Sequence, residues 1–317
     1  MKGITIIIPA YNEAESLDKL VDRLDEVTHN ISGYMFTYLF INDGSTDNTL
    51  ELLQEKAENH PRVSYLDLSR NFGKETAMLA GLDYASDEAV IILDADLQHP
   101  PEIIEEMIKY WEQGYEDVYA VREKKEDEDG VKNFFSKTYY KFVQKITSEQ
   151  VYPSAGDFRL LDRKCVMALR ELRENERYMK GMYGWIGFHK KEISYKEEPR
   201  FAGETKFDFS ELFKLAINGI TSYSTVPLRM WSYIGFFTSL ISFLFLAYEI
   251  GKTILFGSNS AGYPTLLAAI LFLGGIQLIS LGVMGEYLGR VFIETKGRPA
   301  YFIREKHIKT KKEVHHE

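Results

Sequence analysis

Disulfides, glycine-rich nucleotide loops and long neutral leaders are all missing from this 317-residue chain, and each gap excludes something. Its single cysteine, Cys165, forms no intrachain disulfide, which removes the secreted disulfide scaffolds and fits a reducing compartment. Neither G-x-G-x-x-G nor G-x-x-x-x-G-K-[ST] occurs, so bound phosphate must be met by cations rather than by a glycine cradle. The first apolar run, Ile4 to Pro9, is too short for a signal peptide, so the amino terminus is expected to stay inside. Positive charge is also short: the net charge of -9 argues against a general nucleic-acid binder. Charge of either sign is absent from the 19 residues between Arg229 and Glu249 and from the 33 between Lys252 and Glu286. Both runs reach the roughly 20 apolar residues needed to span a bilayer.

What is present suffices for a catalytic domain with a full core, since 45% of the residues are hydrophobic and 27% charged. Strand and helix patterns alternate: Ile4–Ile8, a helix from about Glu15, Tyr38–Ile41, a helix from Asp47, Val63–Leu68, a helix from Lys74, Ala89–Leu93, a helix after Pro101, and Asp117–Val121. Continuous apolar strands alternating with helices predict an open α/β domain with a parallel sheet covered on both faces. Such sheets bind ligands beyond the carboxyl ends of their strands. Here those ends are polar: Pro9–Glu13, Asn42–Asp47, Ser69–Gly73, Asp94–Gln98 and Arg122.

Further on, Val131, Phe134, Phe135, Thr138, Phe142 and Ile146 recur at helical spacing beside a stripe of Lys137, Lys141 and Lys145. The pattern suits a helix of about 131–147 lying in a membrane interface, and equally one covering the sheet. Phe209, Leu212, Phe213, Ala216, Ile217 and Ile220 repeat it directly before the first uncharged run. The organisation expected is a cytoplasmic catalytic domain at 1–208, an interfacial helix at 209–228, two transmembrane helices at 229–290 and a basic tail at 291–317. From Lys296 onward seven lysines and arginines face three glutamates, which by the positive-inside tendency keeps that tail, and so both termini, cytoplasmic in a multi-pass plasma-membrane protein. Gly274, Gly275, Gly282 and Gly285 in the second span are small enough for close helix approach, so a homo-oligomer is expected.

Asp94 and Asp96 end the most hydrophobic strand and, two apart on an extended chain, point to one side. Two such carboxylates repel unless a proton or cation intervenes, and Mg²⁺ or Mn²⁺ prefers these oxygen ligands together with substrate phosphate. A lone DxD more often caps a helix; its place at a strand end, with Gln98 two residues on and Asp43 after the neighbouring strand, favours metal-diphosphate binding. Asp43 reads either as a turn residue or as a hydrogen-bonding group for a base or ribose. Asp157, in the small-residue stretch Ser154–Arg159, reads as a loop residue that caps the helix after it.

Ile8-Pro-Ala-Tyr-Asn-Glu13, Asn42-Asp-Gly-Ser-Thr-Asp47, Asp94-Ala-Asp-Leu-Gln98 and Gly156-Asp-Phe-Arg-Leu-Leu-Asp162 together resemble the inverting family 2 glycosyltransferases. More narrowly, the chain is similar to the polyprenyl-phosphate glycosyltransferases, which include dolichyl-phosphate mannose synthase and undecaprenyl-phosphate glucosyltransferases. The likeness covers the catalytic domain and the two-span anchor. It implies a GT-A fold, a Rossmann-like mainly parallel sheet, and a donor site of Pro9, Tyr11, Glu13, Asp43, Lys74, Asp94, Arg122, Arg200 and Lys206. It further implies Mg²⁺ or Mn²⁺ held by Asp94, Asp96 and Gln98, with Asp96 and Asp157 catalytic and Asp157 a base or acceptor-orienting residue. Arg200 and Lys206 read without it as a solvated loop. No Q-x-x-R-W motif occurs, so the pattern departs from the processive polysaccharide synthases and favours transfer of a single sugar.

The expected activity is inverting transfer of one hexose from a nucleotide diphosphate sugar, with UDP-glucose first among donors, to polyprenyl phosphate at the cytoplasmic face of the lipid bilayer. Relatives suggest a tetramer. The alternatives are UDP-GlcNAc or GDP-mannose as donor, a diacylglycerol acceptor, or a non-catalytic membrane-tethered nucleotide-binding scaffold.

Overall fold

The computed structural model describes residues 1–123, 155–175, 177–196, 226–256 and 262–309. The 131–147 helix, Arg200, Lys206 and most of the 209–228 helix lie outside the described residues.

An eight-stranded mixed, mainly parallel sheet forms the centre of the first unit. Its strands are β1 Lys2–Ala10, β2 Tyr34–Asn42, β3 Val63–Leu68, β4 Ala89–Ile92, β5 Asp117–Arg122, β6 Ala155–Asp162, β7 Lys190–Tyr195 and β8 Ile303–His307. The spatial order is β7-β5-β6-β4-β1-β2-β3-β8. β1 pairs in parallel with β2 and β4, β2 with β3, and β5 with β7, whereas β6 and β8 run antiparallel to their neighbours. This is the α/β GT-A architecture.

Helices cover both faces because the central strands are apolar on both sides. On one face α1 (Leu17–His29) and α4 (Ile104–Glu112) sink Leu20, Leu24, Ile104 and Met107 against Ile4, Ile6, Ile8 and Phe40. The same layer includes α2 (Thr49–Asn59) through Leu53. On the other, α3 (Lys74–Tyr84), α5 (Arg163–Glu171) and α6 (Met179–Trp185) pack Met78, Val166 and Met182 against Ile7, Ile41 and Ile92. The odd and even residues of β1 thus serve separate cores, as the two-residue period of a strand requires.

Three elements differ from expectation. The stretch read as a loop around Asp157 is strand β6, and the cap of the following helix is Asp162, whose carboxylate accepts from Lys164 N at 2.9 Å. Small residues at 154–156 suggested a loop, but a reversed strand between β4 and β5 needs only the apolar Phe158, Leu160 and Leu161 to fill its two faces. β7 was not anticipated; its Lys-Lys-Glu start hides an edge strand. β8 lies within the basic carboxyl-terminal stretch and adds to β3, with Asp67 opposite Glu305 and Leu68 opposite Ile303.

The second unit comprises α7 (Val226–Phe256) and α8 (Tyr263–Thr295). Within α8, Phe272–Thr295 is long and apolar enough to cross a membrane among the described residues, and Tyr233–Phe245 is a shorter apolar stretch of α7.

Inside the sheet, Arg159 and Asp117 form a buried ion pair at 3.0 Å, with the guanidinium 3.4 Å over the Tyr183 ring and Lys190 Nζ 3.8 Å from the same carboxylate. Removing one member of such a pair strands a charge without solvent. Asp117→Ala should therefore lose about 3–5 kcal/mol in denaturant unfolding of the detergent-solubilised chain; a loss below about 1 kcal/mol would show that Arg159 finds water or another partner.

Candidate active site

The carboxyl ends of β1 and β2 are tied to each other before any ligand arrives. Asn12 takes a positive φ of 57° and turns its Oδ1 to accept from Thr46 N at 2.8 Å, while Glu13 N donates to Thr49 Oγ1 at 3.0 Å. Asp43, almost wholly buried, accepts from Phe72 N at 2.7 Å and Gly73 N at 2.8 Å with its two oxygens. Asp43 thus closes a loop contact, and it also lines the cavity described below. Burial pushes its carboxyl above the usual range, against the opposing pull of the two amides and Arg70. Gly44 follows with φ of 64°, and a Cβ there would stand 2.4 Å from the Arg70 carbonyl carbon, so only glycine lets the two loops touch.

Antiparallel β6 explains the rest of the site. β4 pairs Ile92 with Arg159, and extending that register two residues brings Asp94 across from Asp157. Between them sits Lys74, the first residue of α3, with Nζ 2.6 Å from Asp94 Oδ1 and 3.0 Å from Asp157 Oδ2. Burial works against the ammonium, but the two carboxylates outweigh it and hold its pKa above the lysine range. Burial likewise opposes ionisation of Asp157; Lys74, Lys180 and Arg159 reverse the sign and hold it below the usual carboxylate value. Its Oδ1 is buried without a hydrogen bond among the described residues.

Asp96 accepts from Gln98 N at 3.1 Å, across Leu97, which is buried at a positive φ of 60°. That conformation costs a leucine about 1–3 kcal/mol and persists because packing holds it. It aims the second carboxylate of the pair. Among the described residues no three His, Cys, Asp or Glu side chains gather into a complete metal cage. Two carboxylate ligands completed by substrate phosphate are nevertheless the usual way Mg²⁺ is held, so the donor set fits a hard divalent ion.

Pro9, Tyr11, Glu13, Asp43, Lys74, Asp94 and Asp96 all line one cavity of about 270 Å³ at this edge. Asp157 reaches it through Lys74. Gln98 contributes its backbone N–H and is not among the lining residues. Arg122 ends β5, exposed and outside the cavity lining.

Two neighbours carried no signal in the sequence reading. His99, packed edge-on to Tyr195 and tilted against Phe158, places Nδ1 3.8 Å from Asp94 Oδ2. Glu75 is half-buried and accepts from Met179 N at 2.8 Å. Its burial, and then the charge of Asp157, push its pKa up to about 7. Its position beside Lys74 at the start of a helix was the available clue.

The family description Glycosyl transferase family 2 matches residues 5–170, and GtrB C-terminal hairpin matches residues 226–291. An uncharacterized glycosyltransferase of Synechocystis is 46% identical over 302 residues, covering 95% of this chain and 94% of that protein. The SfII prophage-derived bactoprenol glucosyl transferase of Shigella flexneri is 42% identical, covering 96% of this chain and 98% of its own length. Glucosyl-3-phosphoglycerate synthase from Mycobacterium tuberculosis, solved with Mn²⁺, UDP and phosphoglyceric acid, aligns with 69% of this chain and 76% of its own at 14% identity and a TM-score of 0.48, a likeness from which no residue role is carried over.

Glu75 yields a signed prediction. With a pKa of about 7 when folded against 4.5 when unfolded, it binds its proton more tightly in the native state, so its stabilisation is present below pH 4.5 and is lost as pH rises toward 7. Glu75→Gln should remove that part of the decline, so the stability difference between variant and parent grows in favour of the variant from pH 4.5 to 7. Unfolding curves with parallel pH dependence would contradict the proton-holding state of Glu75.

Proposed function

The chain belongs to glycosyltransferase family 2 and is a glycosyltransferase with the GtrB-type C-terminal hairpin, and from that premise we propose that it transfers one glucose from UDP-glucose to a polyprenyl phosphate, with inversion at the anomeric carbon. The observation that carries this reading is the Asp94–Lys74–Asp157 bridge, which brings the diphosphate end of the cavity and the acceptor side to one ammonium. The relatives named bactoprenol glucosyl transferases support the acceptor and the sugar.

In this reading Pro9, Tyr11, Glu13 and Asp43 hold the nucleoside, and Lys74 with Arg122, Arg200 and Lys206 meets phosphate. Asp94 and Asp96 hold Mg²⁺ or Mn²⁺, which when bound supplies positive charge against the departing diphosphate. An acceptor phosphate oxygen attacks the anomeric carbon from the face opposite the diphosphate; the new C–O bond forms as the old one breaks, and its electron pair leaves on UDP.

The charge state of Asp157 supports an orienting role rather than that of a base. A phosphate monoester loses its second proton near pH 6, whereas Asp157 is held below the ordinary carboxylate range. A proton on the acceptor would not move downhill to it. Asp157 therefore orients: it fixes Lys74, and the acceptor attacks already as the dianion. The hairpin anchors the catalytic domain at the cytoplasmic face of the plasma membrane with both termini inside. Self-association through Gly274, Gly275, Gly282 and Gly285 of α8, whose Cβ positions meet nothing within 4 Å beyond their own helix among the described residues, belongs to the same reading.

Membranes containing the chain should move label from UDP-[¹⁴C]glucose into undecaprenyl phosphate, and lose this with chelator or Asp96→Asn. Label entering only from UDP-GlcNAc or GDP-mannose, or into diacylglycerol, would replace the donor or the acceptor in this account. Asp157→Asn should lower turnover about 10²-fold, as misorientation of a reacting group does, with UDP affinity nearly kept because Asp94 still holds Lys74, and with melting unchanged. Near-normal turnover would show that the charge on Asp157 is dispensable.

A further inference from the structure

The nucleoside end of the cavity is reinforced by a segment far away in sequence. Antiparallel β8 lies on β3 with Asp67 opposite Glu305 and Leu68 opposite Ile303, which leaves Arg304 as an extra residue at a bulge. A bulge re-aims the side chain of its extra residue. Here it sends the Arg304 guanidinium in two directions. Nη1 stands 3.4 Å from Asp67 Oδ2, an oxygen buried without a hydrogen bond among the described residues, and Nη2 donates to Ser69 O at 2.8 Å.

Both directions lead to Asp43. Asp67, fully buried on β3, accepts from Asn42 Nδ2 at 2.7 Å through its other oxygen. The same Asn42 accepts from Ser45 N at 3.3 Å, closing the turn that contains Asp43 and Gly44. Ser69 opens the loop whose Phe72 and Gly73 amides grip the Asp43 carboxylate. Arg304 itself is more than half exposed and is not among the residues that line the cavity.

We propose that Arg304 is a positioning residue for the nucleotide: from the bulge of β8 it braces the Asn42–Ser45 turn through Asp67 and the 69–73 loop through Ser69, and so sets the Asp43 carboxylate in the donor cavity. This rests on Asp43 being part of the donor site. Without Arg304, Asp67 keeps a buried oxygen with no cation beside it, the carboxylate takes up a proton or turns, and Asn42 loses a fixed charged acceptor. A lysine in its place reaches one arm but lacks the second group of donors.

The test measures equilibrium binding of UDP, with GDP as a second probe, to the full chain in detergent or nanodiscs, alongside donor KM and kcat. Arg304→Ala should weaken nucleotide binding and raise donor KM about three- to tenfold, roughly the net worth of one hydrogen bond passed on to the site, with kcat within about twofold; Arg304→Lys should fall between. Tyr301→Phe serves as the control. It removes the Tyr301 hydrogen bond to Asp83 at 2.7 Å, which docks the same segment without reaching Asp67, and should lower the melting temperature with nucleotide affinity unchanged. Equal effects of Tyr301→Phe and Arg304→Ala on affinity would reduce Arg304 to a docking contact, and unchanged affinity in Arg304→Ala would overturn the proposal. Asp43→Ala separates the two levels. If it weakens binding and Arg304→Ala does not, only the bracing role fails; if Asp43→Ala is silent, or neither nucleotide binds the parent chain, the donor-site reading fails and the bracing role with it.

Discussion

One ammonium between two carboxylates is the contact on which the rest of this site depends. Asp94 lies two residues beyond β4 and Asp157 near the start of antiparallel β6, and sheet register alone would set two like charges facing each other with side chains only 23% and 13% exposed. Lys74 makes that arrangement tenable, and it does so from the first turn of α3, whose buried face fixes the helix against β1. The consequences spread outward. Asp157 stays ionised despite burial, and Glu75, next to Lys74 but without an equal share of its charge, is driven to about 7. Neighbouring carboxyls pushed in opposite directions are the mark of a site where protons and charge are sorted by environment.

The site also stores local strain in its loops. Asn12 and Leu97 are the two described residues other than glycine at positive φ, and each sits directly beside a predicted ligand-binding residue. Asn12 recovers its cost through hydrogen bonds to the next loop, whereas Leu97 relies on burial alone. Such geometry fixes Glu13 and Asp96 in advance, so that in the proposed reading less ordering remains to be done when a diphosphate arrives.

How much of this was legible in the sequence follows from what each element must bury. β1 to β5 announced themselves because strands covered on both faces are continuous apolar runs, and several of the polar residues after them line the cavity at that edge. β6, β7 and β8 did not. β7 and β8 are edge strands rich in lysine and glutamate, a pattern that reads as solvated chain until a partner strand is known. β6 begins with small residues, and the choice between cap and charge for Asp157 could not be made while Asp162, the actual cap, lay five residues further along. Lys74 was reachable by resemblance only; nothing in Gly-Lys-Glu says that its ammonium lies between two distant aspartates. Asn42, Asp67 and Arg304 were invisible for the same reason, since a bulge that redirects one side chain leaves no periodic trace.

If the carboxylates at this edge are matched to a cation which the donor completes, metal binding must depend on the nucleotide. Manganese bound to the full chain can be counted by electron paramagnetic resonance, with and without UDP. Because Lys74 already neutralises Asp94, and the described residues offer no complete cage, the account predicts weak Mn²⁺ binding alone, strong binding once UDP is added, and loss of the UDP-dependent part in Asp96→Asn. Tight binding of Mn²⁺ that ignores UDP and survives Asp96→Asn would contradict it.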